Sequence, residues 1–201
     1  LGPLALLSQS GLSSRQVRLV EQASQSGQSM LHMISGLLDY GEMQDGRFKM
    51  SHDPFRISVL AEAVRNALAK QGGEELRVTV RSGAPNLVEG DIDRLRQIFV
   101  HLGEYVLESR APASVSLDFD YENNNLIGEI ALDQDGADIS WKLDLLMGLN
   151  EIEPDQVSAD ALRPMISSGL ISAANGTLTL KDDATGRRVI RVSIPAKPVE
   201  F

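Results

Sequence analysis

GDIDRLRQIFVHLGEYVLES, residues 90–109, decides the reading of this chain. Leu95, Ile98, Phe99, Leu102, Val106 and Leu107 recur at the 3.6-residue spacing of an amphipathic helix. Gly90-Asp91 supplies the opening turn. Downstream, Val115, Leu117, Phe119 and Tyr121 alternate as a strand, three asparagines turn the chain, and Leu126 to Leu132 returns to form a hairpin. Helices are expected over Ile139–Leu149 and Ala159–Ala174, the second with Pro164 in its first turns. Asn175-Gly176 then turns into a strand at Thr177–Leu180, and Thr185-Gly186 turns into another at Val189–Ile194. Upstream, Phe55–Lys70 reads as an amphipathic helix, and Leu76, Val78 and Val80 alternate as a strand. Strands and helices alternate without βαβ regularity, which predicts a mixed sheet with helices on one face, an α/β sandwich.

The first 50 residues read differently. Leu1–Leu7 is helical, and Ser10-Gly11 breaks it. Ser13 or Ser14 can cap a second helix, which runs to about Met43 and is stopped by Asp45-Gly46. Val17, Val20, Ala23, Gly27, Met30, Leu31, Ile34, Leu37 and Leu38 lay an apolar stripe along it. One helical hairpin cannot bury so long a stripe, whereas two hairpins paired as a four-helix bundle can. A homodimer is therefore expected, with Val17, Val20, Ala23, Met30, Ile34 and Leu37 at its interface. The fold class is α+β. The expected domains are a helical hairpin over 1–50 and an α/β sandwich over 51–201.

The 201 residues are 42% hydrophobic, enough for a core, and carry a net charge of −9 with a pI near 4.8. That acidity disfavours nucleic acid and anionic membrane as partners. With no cysteine, disulfides and thiolate metal sites are excluded. No apolar run reaches the ~18 residues of a membrane span. The chain starts mid-pattern at LGPLALL without methionine and reads as a piece of a longer protein. Its expected compartment is the cytoplasm, with any membrane anchor lying elsewhere in the parent protein.

The Gly90–Ser109 helix resembles the ATP-binding helix of sensor histidine kinases, where an Arg-Leu-x-Gln run leads into a helix bearing two asparagines. Arg94, Leu95, Arg96 and Gln97 match the lead-in. LGPLALL, with GLSSRQVRLVEQASQSGQSMLHMISGLLDYGEMQDGRFKM, is similar to the family's dimerisation and phosphotransfer hairpin. ISAANGTLTLKDDATGRRVIRVSIP is similar to the end of its ATPase-like catalytic domain. The resemblance implies a phosphoacceptor histidine shortly before Pro3-Leu4, within about one turn upstream of Leu1.

The same resemblance places this chain's nucleotide boxes, and each departs from the family pattern. His101 and Tyr105 fall on the two asparagine positions. The second asparagine holds magnesium in the family, and a bulky neutral phenol is a poor octahedral ligand. Tyr105 is better read as an aromatic filling the pocket. In the Asp-x-Gly-x-Gly turn, Gln134 takes the aspartate position, Gly136 is kept and Asp138 replaces the second glycine. A one-residue shift restores Asp133 but loses both glycines. In the phosphate-cradling loop stand Ala161, Arg163 and Pro164, and proline removes an N–H donor. The preceding acidic stretch, with Glu151, Glu153, Asp155 and Asp160, would repel a triphosphate and is short for an ATP lid. His32, in His-Met-Ile-Ser-Gly, resembles the His-x-x-Lys-Gly of phosphotransfer domains poorly, because Ser35 replaces the lysine. A bundle role suits it better.

Two functions are open on this reading. The first is a degenerate histidine kinase, a pseudokinase module of a two-component or phosphorelay pathway. It would bind no ATP, metal or other cofactor, and would act by dimerising and binding a receiver domain or another histidine kinase. Arg15 and Arg18 are exposed docking candidates. The second is an ATP-independent phosphotransferase that uses the upstream histidine. No catalytic residue is assigned within the chain.

Overall fold

The computed structural model describes residues 2–8, 10–69, 76–107, 114–133, 159–183 and 187–199. In chain order the elements are α1 (Gly2–Ser8), α2 (Ser14–Gln44), β1 (Asp53–Arg56), α3 (Ile57–Ala69), β2 (Leu76–Val80), β3 (Leu87–Gly90), α4 (Ile92–Leu107), β4 (Ser114–Glu122), β5 (Asn125–Asp133), α5 (Ala159–Ala173), β6 (Thr177–Asp182) and β7 (Arg188–Pro195). The helix expected at Ile139–Leu149 and the turn at Thr185-Gly186 lie outside the described residues.

β2, β4, β5, β7 and β6 form a five-stranded mixed sheet in that order. β2 and β4 run parallel, and every other pair is antiparallel. Register puts Val78, Leu117, Ile130, Ile190 and Leu180 in one row across the strands. The next row holds Val80, Phe119, Gly128, Val192 and Leu178. Leu117, Phe119, Ile130, Ile190 and Val192 from these rows belong to one core with α3, α4 and α5, and Val78, Leu178 and Leu180 pack against it. The Asn123-Asn124 pair turns the β4–β5 hairpin with φ of 49° and 62°, a left-handed geometry that asparagine tolerates and that matches strand twist.

The opposite face is polar. Glu129 on β5 accepts hydrogen bonds from Lys181, Arg191 and Arg81, and Arg191 also reaches Glu122. Arg81 bridges onward to Asp120. Burial alone would raise the Glu129 pKa, but hydrogen bonds and charges from Lys181 and Arg191 outweigh it and hold the carboxyl below its ordinary value. A carboxylate with a depressed folded pKa stabilises the fold above its unfolded pKa and loses that contribution as pH falls through the folded one. Glu129→Gln should therefore lower the urea midpoint at pH 7. The gap to wild type should close as the pH drops below the ordinary glutamate range.

The sequence misplaced one boundary. Phe55 is not the first residue of a helix, because Asp53–Arg56 is strand β1 and α3 starts at Ile57. β1 pairs antiparallel with β3, matching Phe55 to Val88, and neither short strand was expected. Gly90 accordingly ends a strand, and Asp91 begins the helix by accepting from the Arg94 N–H at 3.1 Å.

At the amino-terminal end, α1 packs on α2. Gln16 Oε1 reaches back to accept from the Ser13 N–H at 2.9 Å and the Ser13 Oγ at 2.8 Å, half of a capping box. Gly46, at φ 65°, ends α2 and donates to the Met43 carbonyl.

Candidate functional site

α4 projects its residues in two directions. Leu95, Ile98, Phe99, Leu102 and Val106 are buried in the core, as the spacing predicts. Tyr105 is buried with them at 6% exposure, and His101 is half-buried. Glu104 points toward α5 and forms an ion pair with Arg163 at 3.6 Å.

α5 begins at Ala159, so Ala161, Arg163 and Pro164 are wound into helix rather than held in an open loop. Pro164 is buried, and Met165, Ile166, Leu170 and Ile171 behind it are all core. Ser167, fully buried, donates from Oγ to the Arg163 carbonyl at 3.1 Å. The structure thus places His101 and Tyr105 on α4 and Arg163 and Pro164 on α5, two helices in contact, with the Glu104–Arg163 pair bridging them. Gln134 and Asp138 lie outside the described residues.

On α2, Val17, Ala23, Met30, Ile34 and Leu37 are exposed and Val20 is half-buried. Leu31 and Leu38 are exposed too, at 52% and 66%. Arg15 and Arg18 are exposed near the helix start. His32 lies within α2, and its side chain is outside the described set.

Sequence reasoning missed the contact between α2 and the rest. Arg94 donates from both terminal nitrogens to the Asp39 carboxylate, the Nη2–Oδ1 bond measuring 2.9 Å. Its guanidinium also lies 5.1 Å from the centre of the Phe48 ring. Asp39 is only 8% exposed. The signal was an aspartate in the apolar run Leu37-Leu38-Asp39-Tyr40, which has to find a cation if it is buried.

Known proteins resemble the chain in sequence over about half its length and in fold. Histidine kinase 2 of Arabidopsis thaliana is 32% identical over 105 residues, 51% of this chain. Hybrid signal transduction histidine kinase A of Dictyostelium discoideum is 29% identical over 104 residues. Among solved structures, full-length ShkA, crystallised with AMPPNP, superposes on 100% of this chain with a TM-score of 0.70 at 21% identity. The chain is similar to sensor histidine kinase cores in sequence and in fold. The Acinetobacter baumannii histidine kinase AdeS matches 92% of this chain with a TM-score of 0.63 at 12% identity, and the chain covers 86% of it. The chain spans only 9% of the plant relative and 5% of the Dictyostelium one, and 43% of the ShkA chain. No family model matches the chain. No helix among the described residues is long and apolar enough to cross a membrane.

Proposed function

We propose that this chain is a degenerate histidine kinase module that does not use ATP and acts by association. Its hairpin over 1–50 pairs with a second copy, and the assembly binds a receiver domain or another histidine kinase of a two-component or phosphorelay pathway. The observation that carries this reading is the bridge between α4 and α5. Arg163, at a phosphate-loop position, is engaged by Glu104 at 3.6 Å, and Tyr105, at the magnesium position, is buried in the core.

The residues present do not fit a magnesium nucleotide. A buried phenol offers no small oxygen ligand for octahedral coordination. Pro164 has no N–H to give a phosphate, and the α5 N–H groups from Arg163 onward fall within the helix, where the backbone ladder uses them. Calorimetric titration with magnesium-ATP tests the proposal, and saturable binding would overturn it.

Support for the dimer comes from the two faces of α2. Gly36, Asp39, Tyr40 and Met43 share one side at helical spacing, and this side meets α4 and α5. Met30, Leu31, Ile34, Leu37 and Leu38 occupy the opposite side and are 52–66% exposed. Clustered large apolar side chains of this kind mark an interaction surface.

A further inference from the structure

We propose that Arg94 is a latch: with Asp39 engaged, the carboxyl-terminal half of α2 and the sheet domain move as one body, and releasing the pair frees α2 to swing about residues 45–52. This goes beyond the proposed function and does not depend on whether ATP binds.

Five contacts converge on the junction. The Arg94 guanidinium holds both oxygens of Asp39 and donates to Gln97 Oε1 at 3.0 Å, which fixes its orientation from within α4. It also covers the Phe48 ring just beyond the end of α2. Asp91 accepts from the Arg94 N–H and, through its other oxygen, from the Ser51 N–H at 3.0 Å. One aspartate thereby ties the linker to the start of α4. On the neighbouring side, α2 and α5 approach over glycine. A Cβ on Gly36 would lie 2.3 Å from Ile166 Cδ1, and one on Gly169 would lie 2.7 Å from Met43 Sδ.

The chemistry makes the latch close to all-or-none. Asp39 is 8% exposed, and a carboxylate so buried is costly without its cation, so loosening the pair favours carrying Asp39 out to water with its helix. Two discrete arrangements of one packed element are what a switch requires. The linker can accommodate the movement. Residues 49–52 form one wall of a cavity of about 340 Å³, with Gly90, Asp91 and Asn175 on other walls, so the strap is not packed on that side. Because Ile34 and Leu37 face away from Asp39 on the same helix, a partner seated on the outer face pulls on the rod that the latch holds.

Amide hydrogen exchange on the full chain tests this. Asp39→Asn should speed exchange at residues 36–52 tenfold or more and leave β4 and β5 within twofold of wild type. Arg94→Lys keeps the charge but loses the two-pronged geometry and should give a smaller rise in the same segment. The double variant Asp39→Asn/Arg94→Gln should exchange no faster than Asp39→Asn alone. Arg96→Gln, which removes an exposed 3.9 Å pair with Asp93, should change nothing. Exchange at residues 36–52 within twofold of wild type in both Asp39→Asn and Arg94→Lys would overturn the latch. An equal rise in β4 and β5 would also overturn it, because the pair would then support the whole fold.

Discussion

Gly128→Ala should lower stability by about 3 kcal/mol, the upper end of the usual range for overpacking a core. Gly128 lies in the middle of β5, between Phe119 on β4 and Val192 on β7. The Phe99 ring from α4 rests directly on it, and an added Cβ would fall 2.1 Å from Phe99 Cε1 and 2.5 Å from Cζ. Phe99 cannot retreat. It is fully buried and set edge-on to Phe119, with centroids 4.8 Å apart and planes at 82°. The absent side chain therefore lets α4 sit on the sheet, and α4 carries Tyr105, Glu104 and Arg94. Urea unfolding measures the loss. Adding Phe99→Leu to Gly128→Ala should recover part of it, because the two changes share one space and cannot be additive. A Gly128→Ala midpoint equivalent to less than about 0.5 kcal/mol from wild type would mean that Phe99 does not pack there.

Ile34→Glu should convert the proposed dimer to a monomer. Ile34 is 55% exposed in the single chain and sits midway among Met30, Leu31, Leu37 and Leu38 on the outer face of α2. In a four-helix bundle that face becomes core, where a charge without a partner is strongly disfavoured. Sedimentation should show wild type at twice the 21.8 kDa chain mass and the variant at 21.8 kDa. The sheet domain should stay folded, since Ile34 lies on the side of α2 opposite Gly36 and Asp39. Wild type sedimenting as a monomer at micromolar concentration would remove the dimer from the account.

Much of this architecture was legible because it is periodic. The α4 spacing, the alternation of β4 and β5 and the asparagine turn each carry a local signal, and the resemblance ordered them. β1 and β3 left no such signal. Each is four residues long, too short for alternation to emerge, and Phe55 lies only two residues before Ile57, the first buried position of α3. Their pairing joins residues more than thirty positions apart, which no local pattern encodes. The α2 stripe was visible, but its division into an outer apolar face and an inner face of Gly36, Asp39, Tyr40 and Met43 was not. That inner face is defined by what it touches on α4 and α5. The candidate site followed the same rule. Tyr105 and Pro164 could be judged from their own chemistry, whereas the Glu104–Arg163 bridge and the Asp39–Arg94 pair depend on helices that meet only in the folded chain.

The proposed function rests on one claim: α4 and α5 are held to each other instead of to a nucleotide. Arg163 is occupied by Glu104, Tyr105 is core, and Pro164, which has no N–H to donate, lies within α5. Isothermal titration of the full chain with ATP and excess magnesium tests the claim most directly. The account predicts no saturable heat with nucleotide up to about 1 mM, the concentration at which a binding free energy of only about −4 kcal/mol would already be visible. A saturable isotherm with a Kd below about 100 μM would contradict it.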